Sequence, residues 1–149
     1  MADIVLRRAH AGESDAVATL FRLSQRTAMP FLRDRHTAAE DRAYFRDRVF
    51  ATCDVWIGER DGDLVGLCAF RAGWVDHLDV HPGHLRTGIG AALLRKAKDA
   101  NACLQLWAFQ RNENALAFYK SQGFRLVKTT DGQDNEEHEP DALFAWERS

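Results

Sequence analysis

Val80-His-Pro-Gly-His-Leu-Arg-Thr-Gly-Ile-Gly-Ala-Ala-Leu-Leu94 joins the end of an apolar strand, Trp74 to Val80, to the start of a helix. Ile89, Leu93 and Ala97 recur at helical spacing on one side of that helix. Between the two elements lies a glycine-spaced turn. Gly88 and Gly90 lack Cβ, so the turn can fold tightly and bring consecutive backbone N–H groups close to a ligand. These groups are also the unpartnered donors of a helix start, backed by the positive end of its dipole, and they suit a phosphate or pyrophosphate. Arg86 adds a positive charge beside them. The plainer alternative is a helix entry that needs small residues only for packing.

Other phosphate-binding turns do not fit. A dinucleotide fold calls for G-x-G-x-x-G after the first strand of a βαβ unit, yet Leu93 occupies the third glycine position and the turn lies mid-chain. No G-x-x-x-x-G-K-[ST] run exists. A second segment, Asn112-Glu-Asn-Ala-Leu-Ala-Phe-Tyr-Lys-Ser-Gln-Gly-Phe124, reads as a short complete helix. Asn112 caps it, Leu116 and Tyr119 share a face, and Gly123 supplies a left-handed stop. The glycine turn resembles the acyl-CoA pyrophosphate loop of the GNAT superfamily of N-acyltransferases. The second segment resembles that family's N-x-x-A-x-x-F-Y-x-x-x-G-F motif. The match departs at Leu85, where most members carry Gln or Arg, and Arg86 comes one place later.

The patterning predicts one domain over 1–149. Strands are expected at about 3–9, 55–57, 64–70, 74–80, 103–109, 124–130 and 142–147. Helices are expected at about 13–26, 37–50, 88–100 and 112–122, the second opened by the capping box Thr37-x-x-Glu40. Asp61-Gly62-Asp63 marks a hairpin. The class is α/β (α+β). The resemblance implies a mixed, mostly antiparallel seven-stranded sheet flanked by four helices and splayed between strands 4 and 5, where the arm of the cofactor enters.

The resemblance implies acetyl-CoA as cofactor. Coenzyme A would be held by Leu78, Asp79 and Val80 at the end of strand 4 and by Leu85, Arg86, Thr87, Gly88, Ile89, Gly90 and Ala91 in the turn. Asn112 and Tyr119 would complete its site. Amide formation needs a neutral amine, and deprotonating one of pKa ~10.4 at pH 7 costs roughly 4.6 kcal/mol without assistance. A carboxylate or imidazole near the amine lowers that cost. Strict alternation along strand 4 places Trp74, Asp76 and Leu78 on one face and Val75, His77 and Asp79 on the other. Related enzymes carry acids or histidine at the sites matching Trp74 and Asp76, which makes Asp76 the first choice for base or amine-orienting acid. A surface ion pair is its alternative. His77 is the reserve base, or else a residue packed under a helix. By resemblance, the N–H of Val80 or Leu78 faces the developing oxyanion. Tyr119 would protonate the leaving thiolate, its alternative being a core residue with a satisfied hydroxyl.

The acceptor side is less sharply written. Trp74 and Trp107 offer an aromatic wall or simple core burial. The segment Asp131–Asp141 holds six acids and no Lys or Arg, which leaves the rest of the chain near +4. Such a run reads as a solvated hairpin loop, or else Glu136 and Glu137 select a cationic amine. The expected activity is acetyl transfer to a small-molecule primary amine or amino acid, with peptide or lysine amines as the next acceptor. A non-catalytic acyl-CoA-binding module is the other class.

Composition excludes several partners. At 149 residues, 46% hydrophobic and net charge −2, the chain is an ordinary globular protein with no electrostatic case for nucleic acid. Cys53, Cys68 and Cys103 have no C-x-x-C spacing, so neither disulfides nor zinc are indicated, and the last two read as small core residues. His77, His81 and His84 do not share a face, so no metal is expected. No signal-peptide core is present and no apolar run approaches the ~18 residues of a membrane span, which makes the cytoplasm the default. A strand edge near 124–130 or 142–147 is compatible with a homodimer.

Overall fold

The computed structural model describes residues 3–149. The sheet has seven strands: β1 (Val5–Arg8), β2 (Asp54–Arg60), β3 (Asp63–Arg71), β4 (Trp74–Val80), β5 (Cys103–Phe109), β6 (Arg125–Thr130) and β7 (Asp141–Glu147). Their spatial order is β1-β2-β3-β4-β5-β7-β6. Every neighbouring pair is antiparallel except β4 and β5, which are parallel and joined only at Trp74↔Gln105. Beyond that rung the two strands part, and the sheet is open where the functional residues lie.

The helices follow from their caps and apolar stripes. Helix α1 (Ser14–Ala28) buries Val17, Ala18 and Leu20. Thr37 and Glu40 form the expected reciprocal cap of α2 (Ala38–Tyr44), at 3.1 and 2.9 Å. That helix runs on through a π-helical turn (Phe45–Val49) into the short α3 (Phe50–Thr52), so the segment read as one helix is a single rod in three pieces. The π turn buries Phe45 and Val49 together. Helices α4 (Ile89–Ala100) and α5 (Glu113–Ser121) complete the four helical bodies.

Alternation in β3 splits the core in two. Leu67 and Ala69 pack with Val17, Leu20, Phe45 and Val49 beneath α1 and the α2 rod. Cys68 and Phe70 pack with Ile89, Leu93, Leu94, Leu104 and Phe144 beneath α4. Helix α4 sits directly on β3: a Cβ on Gly66 would lie 2.7 Å from Ile89 Cγ2 and 2.8 Å from Leu93 Cδ1. A glycine there sets the depth of the helix, and with it the height of its N-terminus over the splay.

Two expectations need correction. Cys103 is exposed at the start of β5, whereas Cys68 is fully buried. Alternation in β4 is also broken. Ala69 faces His77 and Phe70 faces Val75, so Asp76 is the extra residue of a β-bulge. As a result Val75 joins Leu78 and Val80 on the α4 side, while His77 packs against Phe21 and Phe45 on the α1 side.

Candidate active site

Below the bulge, β4 keeps a regular ladder with β3. His81 N–H donates to Val65 O at 2.8 Å, and the register Gly66↔Val80 and Leu67↔Asp79 follows. In an antiparallel pair the N–H groups alternate in direction. Those of His77 and Asp79 therefore point to β3, and those of Leu78 and Val80 point into the splay.

The turn after β4 is built by local bonds. The His81 ring accepts from Gly83 N–H at 3.0 Å, and the Thr87 hydroxyl donates to His84 O at 2.6 Å. Arg86 and Gly88 take positive φ, 62° and 89°. Gly88 is the N-cap of α4 and brings no capping side chain, while the first intrahelical bond runs from Ala92 N–H to Gly88 O. The N–H groups of Gly88, Ile89, Gly90 and Ala91 thus lack an intrahelical partner, and the space a Cβ on Gly88 would enter is open. This end has the donors and the dipole an oxyanion needs.

Two cavities flank the splay. The first, about 970 Å³, runs from the turn between β4 and β5 to α5 and is bordered by Leu78, Asp79, Val80, Asn112 and Tyr119. Leu85, Arg86, Gly88, Ile89, Gly90 and Ala91 border it too. Asn112 caps α5 through Ala115 N–H at 3.4 Å. The second cavity, about 910 Å³, lies between α1, α2 and the β6–β7 loop, and Glu136 and Glu137 border it. Gln25, Met29, His77 and Phe109 border both cavities.

Three expected residues are placed differently. Trp74 borders neither cavity: it forms the closed rung with Gln105, with Arg71 lying 5.4 Å from its ring centroid. Thr87 holds the turn together without bordering the cavity. Asp76 borders the first cavity, but both its oxygens are taken by Arg71, at 2.7 and 3.1 Å, and one also accepts from Cys53 Sγ. The bulge and the Arg71–Trp74 hairpin together bring that arginine to it. A two-residue turn at Ala72-Gly73 was the available signal for this pair.

Burial reshapes three other groups. It pushes the Asp79 carboxyl up to about 7, with the Ser24 side chain of α1 offsetting only part of the cost. Burial likewise pushes the His77 imidazole down to about 4, against a smaller opposing pull from Asp76. The Tyr119 phenol is raised well above its usual range by burial and then by the nearby Asp79 charge. At neutral pH Tyr119 therefore keeps its proton and His77 is uncharged. Tyr44, which the sequence reading passed over, borders the second cavity and meets His77 Nε2 through its Oη at 2.9 Å.

The acidic loop is anchored rather than merely solvated. The Gln110 side chain donates to Thr130 O and Asp141 O, and Asn135 donates to Glu139 O and Asp141 Oδ2. One bridge ties the loop to the α1–α2 connection and a second ties it to the β5–α5 connection. Glu136 pairs with His36 Nε2 at 2.6 Å, and Arg111 pairs with Glu139 while its guanidinium lies 4.2 Å from the centroid of the Phe31 ring. Although burial opposes it, the Glu136 carboxylate raises the His36 pKa, and Glu40 and Asp41 add to this.

An anion-binding helix start, a cleft between parted parallel strands and a phenol beside it define a transferase that takes its group from an acyl-CoA. The GNAT acetyltransferase domain model matches residues 51–126. The peptidyl-lysine N-acetyltransferase YiaC of Escherichia coli is 30% identical over 124 residues, 83% of this chain and 84% of that protein. YjaB from Escherichia coli superposes with a TM-score of 0.79 at 21% identity, covering 97% of each chain. YncA from Salmonella typhimurium, solved with its cofactor acetyl-CoA, gives 0.73 at 15% identity, covering 98% of this chain and 99% of that one. The chain belongs to the GNAT superfamily of N-acetyltransferases and transfers an acetyl group from acetyl-CoA to an amine. Among the described residues, no helix is long and apolar enough to cross a membrane.

Proposed function

We propose that the acceptor is the primary amine of a small molecule, a cationic alkylamine or an amino acid, which enters the second cavity and attacks directly in a ternary complex. The observation that carries this reading is the shared border at Gln25, Met29, His77 and Phe109, where the two cavities meet. A cavity of about 910 Å³ suits a compact acceptor. On one side its wall is tied across by the His36–Glu136 bridge.

Bound acetyl-CoA supplies the thioester carbonyl that the amine attacks. The N–H groups of Gly88 to Ala91, with Arg86, hold its diphosphate, and the splay-facing N–H groups of Leu78 and Val80 hold the extended arm and polarise the carbonyl. Tyr119, kept protonated, donates to the departing sulfur. Glu137 offers a carboxylate toward a cationic amine on a mixed lining, where Glu136 is paired with His36 and Arg22, Arg26, Arg33 and Arg35 also stand. Asp76 holds Arg71 and braces the bulge. The chain acts as one domain.

Thiol release from acetyl-CoA on adding single amines tests the proposal. Turnover of small cationic amines or amino acids at a KM well below that of a lysine-containing peptide supports it. The similarity to YiaC favours a second reading, lysine side chains on polypeptides. Turnover of peptides alone would establish that reading instead.

A further inference from the structure

Charged groups of both signs line the acceptor cavity, and most of them are spent on one another. Arg22 donates to Asp41 at 2.7 Å and to Asp34 at 3.2 Å, and Arg26 also pairs with Asp34. Glu40 is held in the Thr37 cap, and Glu136 by His36. Arg33 and Arg35 stand outside this network. Both border the cavity, yet among the described residues neither meets an acid or any other hydrogen-bonding partner. Glu137 is the acid of the lining left in the same condition. The chain that carries the two arginines is nevertheless pinned. Asp34, between them, is gripped by Arg22 and Arg26 of α1, and Arg22 donates again to His36 O at 2.8 Å. Neither arginine borders the cofactor cavity, whereas Gln25 and Met29 border both. The reacting amine belongs at that junction, so Arg33 and Arg35 address a different part of the acceptor.

We infer that Arg33 and Arg35 bind a carboxylate on the acceptor, so that the substrate class is amino acids rather than simple alkylamines. The inference rests on the reading of the second cavity as the acceptor site. A guanidinium is a planar fork that presents parallel N–H donors to the two oxygens of a carboxylate. An alkylammonium entering the cavity adds a positive charge to two that are already unanswered. An amino acid adds no net charge. Its carboxylate answers the arginines, and its ammonium finds Glu137 on the same lining before the proton leaves. Because Asp34 is already anchored to α1, the segment carrying the arginines is ordered before the acceptor arrives, which lowers the entropy lost on capture. The two arginines touch the end of the acceptor that does not react. Their contribution is equal in the ground state and the transition state, and it falls on KM rather than kcat. Arg22 and Arg26 are positioning residues that act through Asp34.

The test is a series of α- and ω-amino acids, each assayed beside its own carboxamide, which keeps the chain and the amine and removes the negative charge. Rates are counted per neutral amine, because amidation also lowers the amine pKa of the α-amino acids. The wild-type enzyme is expected to favour at least one carboxylate over its carboxamide by about tenfold or more in kcat/KM, carried by KM. Added salt should shrink that preference. In the double variant Arg33→Gln, Arg35→Gln the ratio should fall to within about threefold of one. The ratio is the readout, since a variant that merely loosens the connection slows both members of a pair together. Arg48→Gln, at an exposed arginine that borders neither cavity, controls for lost surface charge and should keep the ratio. A wild-type ratio near one throughout the series, or a preference that survives the double variant, overturns the carboxylate site and leaves small-molecule acetylation standing. Acetylation of lysine-containing peptides with no turnover of any small amine refutes the small-molecule reading itself, and the carboxylate site falls with it.

Discussion

Asp79→Asn removes a titratable group from the floor of the cofactor cavity while preserving shape and hydrogen-bonding capacity. In the folded protein burial raises this carboxyl to about 7, against an ordinary value of 3.8. A raised folded pKa means that the unfolded chain binds fewer protons between those values, so stability falls as pH rises through that window. The favourable contribution is complete below 3.8 and is lost once the pH passes 7. At 1.36 kcal/mol per unit, ionising the buried group costs the native state about 4 kcal/mol by pH 8, of which about 3 kcal/mol accrues between pH 4.5 and 8. For a chain of this length that corresponds to roughly 10 °C in Tm. Thermal denaturation of the coenzyme-free protein should therefore show Asp79→Asn gaining on wild type by about that amount from pH 4.5 to pH 8. A gap that stays constant with pH would refute the assignment of a neutral, desolvated carboxyl at this position.

Three further outcomes are expected. Tyr119→Phe should reduce kcat by about a hundredfold, the usual scale for loss of a general acid, while calorimetry finds coenzyme A affinity within a few-fold of wild type. Gly88→Ala, at φ 89°, should cost about 1–2 kcal/mol in denaturant unfolding and weaken coenzyme A binding as the N–H groups shift. The His36–Glu136 bridge has a raised histidine pKa, so it is complete below 6.5 and opens as the pH climbs past that raised value. Limited proteolysis of the 131–140 segment should accordingly quicken from pH 6 to pH 9 in wild type and be fast throughout in Glu136→Gln.

The cofactor half was written plainly in the chain, because a helix start is a local object. Val80 to Leu94 carries its own strand end, turn and helix, and Asn112 to Phe124 its own cap and stop, so spacing alone located them. Their bounds agree with the structure to within a residue or two. The acceptor half was not legible in the same way. It is assembled from α1, the α2 rod, β4 and the β6–β7 loop, and no local pattern announces that Tyr44 will meet His77, 33 positions away. Strict alternation failed at Asp76 because a bulge inserts one residue, which redirected Val75 to the α4 side. The acidic run looked solvated because its anchors, Gln110 and Arg111, lie on the far side of α5 in sequence.

The seat of α4 on Gly66 has a consequence for how such a chain can change. Two methyl groups rest where a Cβ would stand, so the altitude of the diphosphate grip is fixed from β3, on the opposite face from the residues that shape the acceptor chamber. The two halves meet at Gln25, Met29, His77 and Phe109, but the seat of α4 lies on the other side of β3 from the α2 rod. Substitutions in α2 or in the acidic segment can retune which amine is accepted, leaving the common currency of the reaction gripped as before, whereas enlarging Gly66 would lift that grip for every acceptor at once.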